Sequence, residues 1–149
     1  MGTRDELSGP AAGRLRVFLA EDDRAMREMI ASALRRDGHR VFESVNGAGL
    51  LLDLARAFYE DGPRPPPSAI VSDLKMPARD GLAILRSLRH DRRRPPFILI
   101  TAFGDPGVHA EARRLGAYAV FDKPFELATL RATLEEISRQ TARPTGTAA

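Results

Sequence analysis

Four short apolar runs in this 149-residue chain each end at a polar or charged side chain. Helical patterns separate the runs, which is typical of a parallel sheet built from βαβ units. In such a sheet the carboxyl ends of the strands form the crevice where ligands bind. The polar side chains at these ends are Glu21 and Asp22, then Asp73, Thr101 and Lys123. Carboxylates, a hydroxyl and an ammonium in one crevice indicate a divalent cation and a phosphoryl group.

The same alternation predicts an α/β fold with five strands and five helices. The predicted strands are Leu15–Ala20, Arg40–Val45, Ala69–Ser72, Phe97–Ile100 and Ala119–Asp122. Right-handed crossovers would place helices on both faces of the sheet. Asp23 is expected to cap the first helix and Gly38 to end it, while Asp105 is expected to cap the fourth helix, with Pro106 at its first position.

The composition fits one domain. Hydrophobic residues make up 43% of the chain and charged residues 29%, which is ordinary for a globular protein. We expect a flexible segment at residues 1–14, a domain over 15–140 and a disordered tail at 141–149. The absence of cysteine excludes disulfides and thiolate metal sites and fits a reducing cytosol. No apolar run approaches the ~20 residues of a membrane helix, so we expect a cytoplasmic protein with no membrane partner.

The basic balance of the chain has two interpretations. The net charge is +3, and the densest basic cluster contains Arg86, Arg89 and Arg92–Arg94. Such a cluster binds nucleic acid in some proteins and is a solvated helix face in others. No aromatic residues interleave with these arginines to stack on bases. We therefore favour the solvated face and predict no specific nucleic-acid binding.

The acidic run after the first strand requires an explanation beyond helix capping. Capping explains Asp23 but not Glu21 and Asp22, which precede the helix. If both lay near Asp73, each carboxylate pair at ~5 Å would cost about 3 kcal/mol at an effective dielectric of ~20. Mg²⁺ would offset that repulsion, because it prefers one or two carboxylates, waters and a phosphoryl oxygen.

Two loop motifs add specificity to the site. Asp73-Leu-Lys-Met-Pro77 precedes Asp80-Gly81, and we expect Pro77 and Gly81 to fix a loop that exposes Asp73. Lys123 precedes Pro124, and a cis bond before proline is accessible at low energy. We predict that the Lys123–Pro124 bond is cis and directs the lysine into the crevice.

These motifs together resemble the receiver domain of two-component response regulators, over about residues 15–140. The matching segments are Ala20-Glu-Asp-Asp23, Asp73-Leu-Lys-Met-Pro77 with Asp80-Gly81, Thr101-Ala102 and Lys123-Pro-Phe125. Each is weak alone, but all four stand in the family's order and spacing. The resemblance implies a flavodoxin-like, doubly wound parallel sheet in the order 2-1-3-4-5, with Asp22 beside Asp73.

The resemblance also implies residue roles. Asp73 would take a phosphoryl group from a sensor histidine kinase or a phosphotransfer protein and form an aspartyl phosphate. Lys123 and the Thr101 hydroxyl would hold phosphoryl oxygens. The implied Mg²⁺ ligands are Asp22, Glu21 through water, Asp73, and the backbone carbonyl of Lys75. The output would be a change on the surface of the fourth helix, fifth strand and fifth helix that a downstream protein partner binds.

The chain departs from the family at three places. Val120 stands where the family usually has an aromatic switch residue, and Tyr118 is expected on the same strand face. Lys75 either pairs with the phosphoryl group or is solvated. The segment 58–67 is longer than usual. The histidines, at 39, 90 and 109, fall on predicted loops or helix faces, so no metal or phosphorelay role is expected.

Three alternatives remain open. Instead of a phosphoacceptor receiver, the chain could be a receiver-fold scaffold that is not phosphorylated. It could also be a receiver fragment of a larger regulator or hybrid kinase, or an aspartyl-phosphate hydrolase. The hydrolase would need a second carboxylate two residues after Asp73, where Lys75 stands. We therefore expect no enzyme activity beyond the protein's own phosphorylation and dephosphorylation.

Overall fold

The computed structural model describes residues 15–59, 66–102 and 106–142, in which five strands alternate with five helices. The strands are β1 (Arg16–Ala20), β2 (Arg40–Ser44), β3 (Ala69–Asp73), β4 (Phe97–Thr101) and β5 (Ala119–Asp122). The helices are α1 (Arg24–Arg36), α2 (Gly47–Tyr59), α3 (Gly81–Leu88), α4 (Pro106–Arg114) and α5 (Leu127–Ala142). The predicted elements are therefore confirmed, although α5 extends two residues beyond the predicted domain end at 140.

Some predictions fall on residues that the structure does not describe. They concern the flexible segment 1–14, most of the tail, the cap at Asp105 and most of the connector 58–67. Among residues 15–59, 66–102 and 106–142, no helix is long and apolar enough to cross a membrane.

The sheet is parallel throughout, in the order β2-β1-β3-β4-β5. This confirms the predicted flavodoxin-like order 2-1-3-4-5. Every residue of β3 and β4 is buried, as expected for central strands that carry helices on both faces. Because β1 lies between β2 and β3, its carboxyl end is adjacent to that of β3.

The core has two layers, one on each face of the sheet. Along β1, Val17 and Leu19 pack toward α1 and α5, whereas Phe18 and Ala20 pack toward α2, α3 and α4. The other strands divide their side chains in the same way because successive residues of a strand point to opposite faces. The result is a rigid three-layer frame with strand ends at fixed positions.

Helix ends agree with the sequence prediction at Gly38 and differ at Asp23. Gly38 has φ +93° and its amide donates to the Arg35 carbonyl, so it ends α1 as predicted. Asp23 occupies the cap position of α1, but its side chain accepts no capping hydrogen bond from the described part of the helix. Its amide instead donates to Glu21 Oε2 at 3.0 Å. The predicted side-chain cap is therefore wrong, and Asp23 helps to fix Glu21.

Candidate functional site

Three carboxylates meet at the carboxyl ends of β1 and β3. Glu21 and Asp22 follow β1, Asp73 ends β3, and one oxygen of each lies within 4.8 Å of the others. The pairing of the two strands produces this arrangement, because Ala20 lies in register with Ser72. The structure thus brings together acidic residues that are far apart in the sequence.

The predicted exposure of Asp73 is wrong. Asp73 is only 5% exposed and Glu21 only 1%, whereas Asp22 is exposed. Lys123 Nζ contacts both buried carboxylates, so the lysine side chain contributes to their burial. A reacting group would therefore approach Asp73 from the side of Asp22.

Lys123 forms ion pairs with two of the carboxylates. Its Nζ lies 3.1 Å from Asp73 Oδ2 and 3.2 Å from Glu21 Oε1. The peptide bond between Lys123 and Pro124 is cis, as predicted, and the lysine head lies in the crevice. The amide of Lys123 donates to the Thr101 carbonyl at 2.7 Å. The last residue of β4 and the lysine are thus tied together.

Burial and charge change the protonation of this cluster. Burial raises the pKa of Glu21 to about 7, and the charge of Asp73 adds to the rise, against the Asp23 amide and Lys123. Burial alone would lower the pKa of Lys123, but the hydrogen bond and charge of Asp73 and the charge of Glu21 raise it overall. Lys123 is therefore cationic at neutral pH.

The donor set fits a hard divalent cation. One ammonium faces three carboxylates, which leaves an excess of negative charge at the crevice. Carboxylate oxygens are the protein ligands that Mg²⁺ prefers. Asp22 is exposed, and with Lys75, Met76, Pro77 and Asp80 it lines a surface depression beside the cluster. Hydrated cations and phosphoryl groups have access to this side.

Thr101 and Lys75 are placed at the same edge in different ways. Thr101 ends β4 and is buried, and its neighbour Ile100 lies in register with Asp73. Lys75 lies on the loop after β3 with its side chain exposed. The structure therefore supports the solvated interpretation of the Lys75 side chain.

Val120 and Tyr118 lie on opposite faces of the sheet. Val120 packs with the layer of α2, α3 and α4, whereas Tyr118 packs with the layer of α1 and α5. The Tyr118 hydroxyl donates to the Glu136 carboxylate on α5. The predicted shared face is wrong, because Tyr118 precedes the start of β5 and strand alternation does not extend to it.

Two histidines make contacts that the sequence does not predict. His39 lies on the loop before β2, as predicted, but it is buried, and its Nδ1 accepts a hydrogen bond from the Leu15 amide at 3.1 Å. His109 Nε2 lies 2.8 Å from Asp122 Oδ1, which joins α4 to the end of β5 beside Lys123. Neither contact has a local sequence signal, since each depends on how distant elements pack.

The comparison with known protein families gives one extended match. The model of the response regulator receiver domain matches residues 17–135. The transcriptional regulatory protein FixJ of Bradyrhizobium diazoefficiens is 32% identical over 83% of this chain and 57% of its own length. The response regulator protein FleR of Pseudomonas aeruginosa is 37% identical over 83% of this chain and 24% of its own length. The chain thus spans somewhat more than half the length of FixJ and about a quarter of the length of FleR.

Solved structures show the same fold. The receiver domain of a signal transduction histidine kinase from Syntrophus aciditrophicus has a TM-score of 0.73 and 25% identity, covering 87% of this chain and 94% of its own. The chemotaxis response regulator CheY4 of Vibrio cholerae has a TM-score of 0.69 and 24% identity, covering 82% and 97%. With the sheet order, the convergent carboxylates and the family match over most of its length, this chain belongs to the response regulator receiver domains of two-component signalling systems.

Proposed function

We propose that this receiver takes a phosphoryl group onto Asp73 from a phosphohistidine of a sensor histidine kinase or phosphotransfer protein in the cytoplasm. The observation that carries the proposal is the position of Lys123 Nζ, 3.1 Å from Asp73 Oδ2 and 3.2 Å from Glu21 Oε1. A lysine so placed neutralises charge next to the carboxylate that would react. The family match supports the same assignment.

In the proposed reaction an Asp73 carboxylate oxygen attacks the phosphorus in line. The new O–P bond forms as the P–N bond to the donor histidine breaks, and the imidazole leaves with that electron pair and takes up a proton. Lys123 pairs with one phosphoryl oxygen, and the Thr101 hydroxyl donates to another. Positioning and charge neutralisation supply most of the catalysis of such a transfer.

The proposed Mg²⁺ ligands are Asp22, Asp73, the backbone carbonyl of Lys75, and Glu21 through water. The bound ion would neutralise charge on the phosphoryl oxygens. Asp22 is the exposed member of the cluster and so the accessible direct ligand. Glu21 is less available, since its Oε2 already accepts from the Asp23 amide and its Oε1 from Lys123.

The proposed output is the surface formed by α4, β5 and α5, which a downstream protein partner would bind. Thr101 connects the site to this surface, because its carbonyl accepts from the Lys123 amide and it lies in register with Asp122. Asp122 in turn contacts His109 on α4. The proposed hinge at Ala102–Pro106, with Gly104 at its centre, lies mostly outside the described residues.

The test is phosphorylation by a small acyl phosphate with Mg²⁺, measured as the mass gain of one phosphoryl group on the intact chain. We expect labelling of the wild type and of a control variant, Asp53→Asn, whose carboxylate lies on α2. Asp73→Asn and the wild type with a chelator should stay unlabelled. Labelling of Asp73→Asn contradicts the phosphoacceptor assignment, and an unlabelled wild type favours the scaffold alternative.

A further inference from the structure

The loop after β3 rests directly on the first residue of α2. Gly47 is buried, and a Cβ built on it would lie 2.1 Å from the Arg79 carbonyl oxygen and 2.8 Å from its carbonyl carbon. The Gly47 amide also donates to the Pro77 carbonyl at 3.4 Å. These atoms belong to backbone, which does not yield as a flexible side chain does. Only glycine therefore allows this contact.

The same loop holds Ala78 in an unfavourable conformation. Ala78 has φ +76°, and the Arg79 amide donates to the Pro77 carbonyl at 2.9 Å across it. This is a γ-turn with positive φ, which is rare and strained for a residue that has a Cβ. Ala78 is exposed, so packing of its own side chain does not hold the turn. The backbone contacts with Gly47, the first residue of α2, hold the turn instead.

The turn lies within the segment that borders the carboxylate cluster. Residues 74–80 start directly after Asp73 and close on α3, where the Gly81 amide donates to the Leu74 carbonyl at 2.8 Å. Lys75, Met76 and Pro77 line the depression that they share with Asp22. A shift of the turn would therefore move backbone atoms relative to Asp22 and Asp73.

We propose that Gly47 and Ala78 are positioning residues for the divalent cation of this receiver. Gly47 seats the turn at Ala78 against α2, and the seated turn fixes the backbone of residues 74–80 beside Asp22. Neither residue touches the cation, and both act through the position of the loop. The inference rests on the proposed Mg²⁺ site, whose wild-type affinity is measured in the same experiment.

The chain offers a matched pair of glycine variants. We expect Gly47→Ala to bind Mg²⁺ alone about 10- to 100-fold more weakly than the wild type, as when a supporting residue of a metal site is lost. Gly49→Ala is the control on the same helix, because its Cβ would lie 3.5 Å from Asn46 Oδ1, an ordinary contact. Affinity is measured by NMR titration of backbone amides in the full chain. Amide exchange over residues 74–80 without metal should be faster in Gly47→Ala and unchanged in Gly49→Ala.

A second pair tests the turn without touching α2. Ala78→Val places a β-branched residue at positive φ and should weaken Mg²⁺ binding, whereas Ala78→Gly accepts this φ and should retain it. This pair decides the question if Gly47→Ala does not fold. Wild-type affinity in both Gly47→Ala and Ala78→Val would overturn the inference. Absence of saturable Mg²⁺ binding by the wild type would instead overturn the proposed function on which it rests.

Discussion

The two ends of the sheet both carry clusters of charged side chains, but the charges meet different partners. At the carboxyl end of the strands Glu21, Asp22 and Asp73 face one another, with Lys123 as the counter-charge. At the amino end, just before β4, Arg93 and Arg94 donate to backbone carbonyls, and Arg93 also pairs with the Asp91 carboxylate. The first arrangement brings like charges together, whereas the second gives each arginine hydrogen-bond acceptors within the chain.

The arginines at the amino end fasten helix ends. Arg93 donates to the Phe58 carbonyl near the end of α2 at 2.6 Å, lies over the Phe58 ring and forms a two-pronged ion pair with Asp91. Arg94 donates to the carbonyls of Arg89 and Leu115, after α3 and α4. Guanidinium groups at helix C-termini complement unpaired carbonyls and the helix dipole. A basic run that resembles a binding patch in the sequence thus stabilises the fold.

A binding cluster and a structural cluster differ in how their charges are compensated. Charges that meet acceptors or counter-ions within the chain lower the free energy of the fold. Like charges held together raise that free energy, and a ligand of opposite charge relieves the repulsion. Removing one charge should therefore have opposite consequences at the two ends.

Loss of one carboxylate at the carboxyl end should change the phosphorylation rate strongly. Asp22→Asn should slow Mg²⁺-dependent phosphorylation of Asp73 by at least about 10-fold, because an exposed oxygen ligand is lost. None of the ion pairs between described residues includes Asp22, so without metal the free energy of unfolding should rise by roughly 0.2–1 kcal/mol. Phosphoryl mass gain and urea unfolding without divalent cations measure the two effects.

Asp23→Asn is the matched control for this variant. It changes the adjacent exposed carboxylate to asparagine, which is also favourable at the N-cap position of a helix. Phosphorylation should continue at the wild-type rate. If Asp22→Asn lowers stability without metal, the idea that like charges oppose each other there is wrong.

At the amino end a change of side-chain geometry alone should act on stability. Arg93→Lys keeps the charge but loses the planar fork that reaches Asp91 and the Phe58 carbonyl together. We expect the free energy of unfolding to fall by about 1–2 kcal/mol, while Asp73 phosphorylation is unchanged. Arg92→Lys, at an exposed neighbouring position, should change the free energy of unfolding by less than about 0.5 kcal/mol. Equal stability of the two variants would contradict the fastening role.

The engagement of Arg93 and Arg94 also bears on nucleic acid. The prediction of no specific nucleic-acid binding stays a prediction. A fluorescence titration with duplex DNA at physiological salt tests it. Tight, sequence-selective binding that weakens steeply with salt would show that the cluster has a second role.

The pH dependence of stability offers a smaller test at the amino end. Burial lowers the pKa of His39, whereas Asp37 and Glu135 oppose the shift. Below pH 6.5 His39 takes up a proton in the unfolded chain but not in the folded one, so the free energy of unfolding decreases as the pH falls. The loss is at most about 1.4 kcal/mol per pH unit between 6.5 and the folded-state pKa.

His39→Asn removes this titration and keeps a short polar side chain near the Leu15 amide. Urea unfolding between pH 7.5 and 5.5 should show that the stability of the wild type falls more steeply than that of the variant. His90→Asn changes an exposed histidine and should follow the wild type. A wild-type slope that persists in His39→Asn would assign the pH dependence to other groups.

Sequence reasoning worked where local pattern determines structure. The alternation of apolar runs and helical patterns located β1 to β5 within one residue at each bound, and the sheet order implied by the family resemblance placed Asp22 beside Asp73. Gly38 and the cis bond before Pro124 were also found from local signals. These features depend on residue type and short spacing.

Other features that sequence reasoning missed depend on packing between distant segments. Asp73 is buried in contact with Lys123, fifty positions away. The Tyr118 ring turns to Glu136, and the contact of Gly47 with the loop at Pro77 joins α2 to the segment after β3. No short spacing in the sequence encodes these approaches, since they arise only when the layers are assembled.

The last and smallest effect concerns transmission from the carboxyl end to α4. Val120 carries no ring, so we expect coupling to depend on Thr101, whose hydroxyl gains a phosphoryl partner only after transfer. Only a contact that differs between the two states can shift their equilibrium. One hydrogen bond of about 0.5–1.5 kcal/mol allows a shift of roughly two- to twelvefold. Thr101→Ala should therefore still accept phosphate but lose a few-fold change in amide exchange over residues 106–116, whereas Val120→Ala should retain it. If a phosphoryl mimic changes exchange there equally in wild type and Thr101→Ala, the carboxyl end communicates with α4 by a route that does not use this hydroxyl.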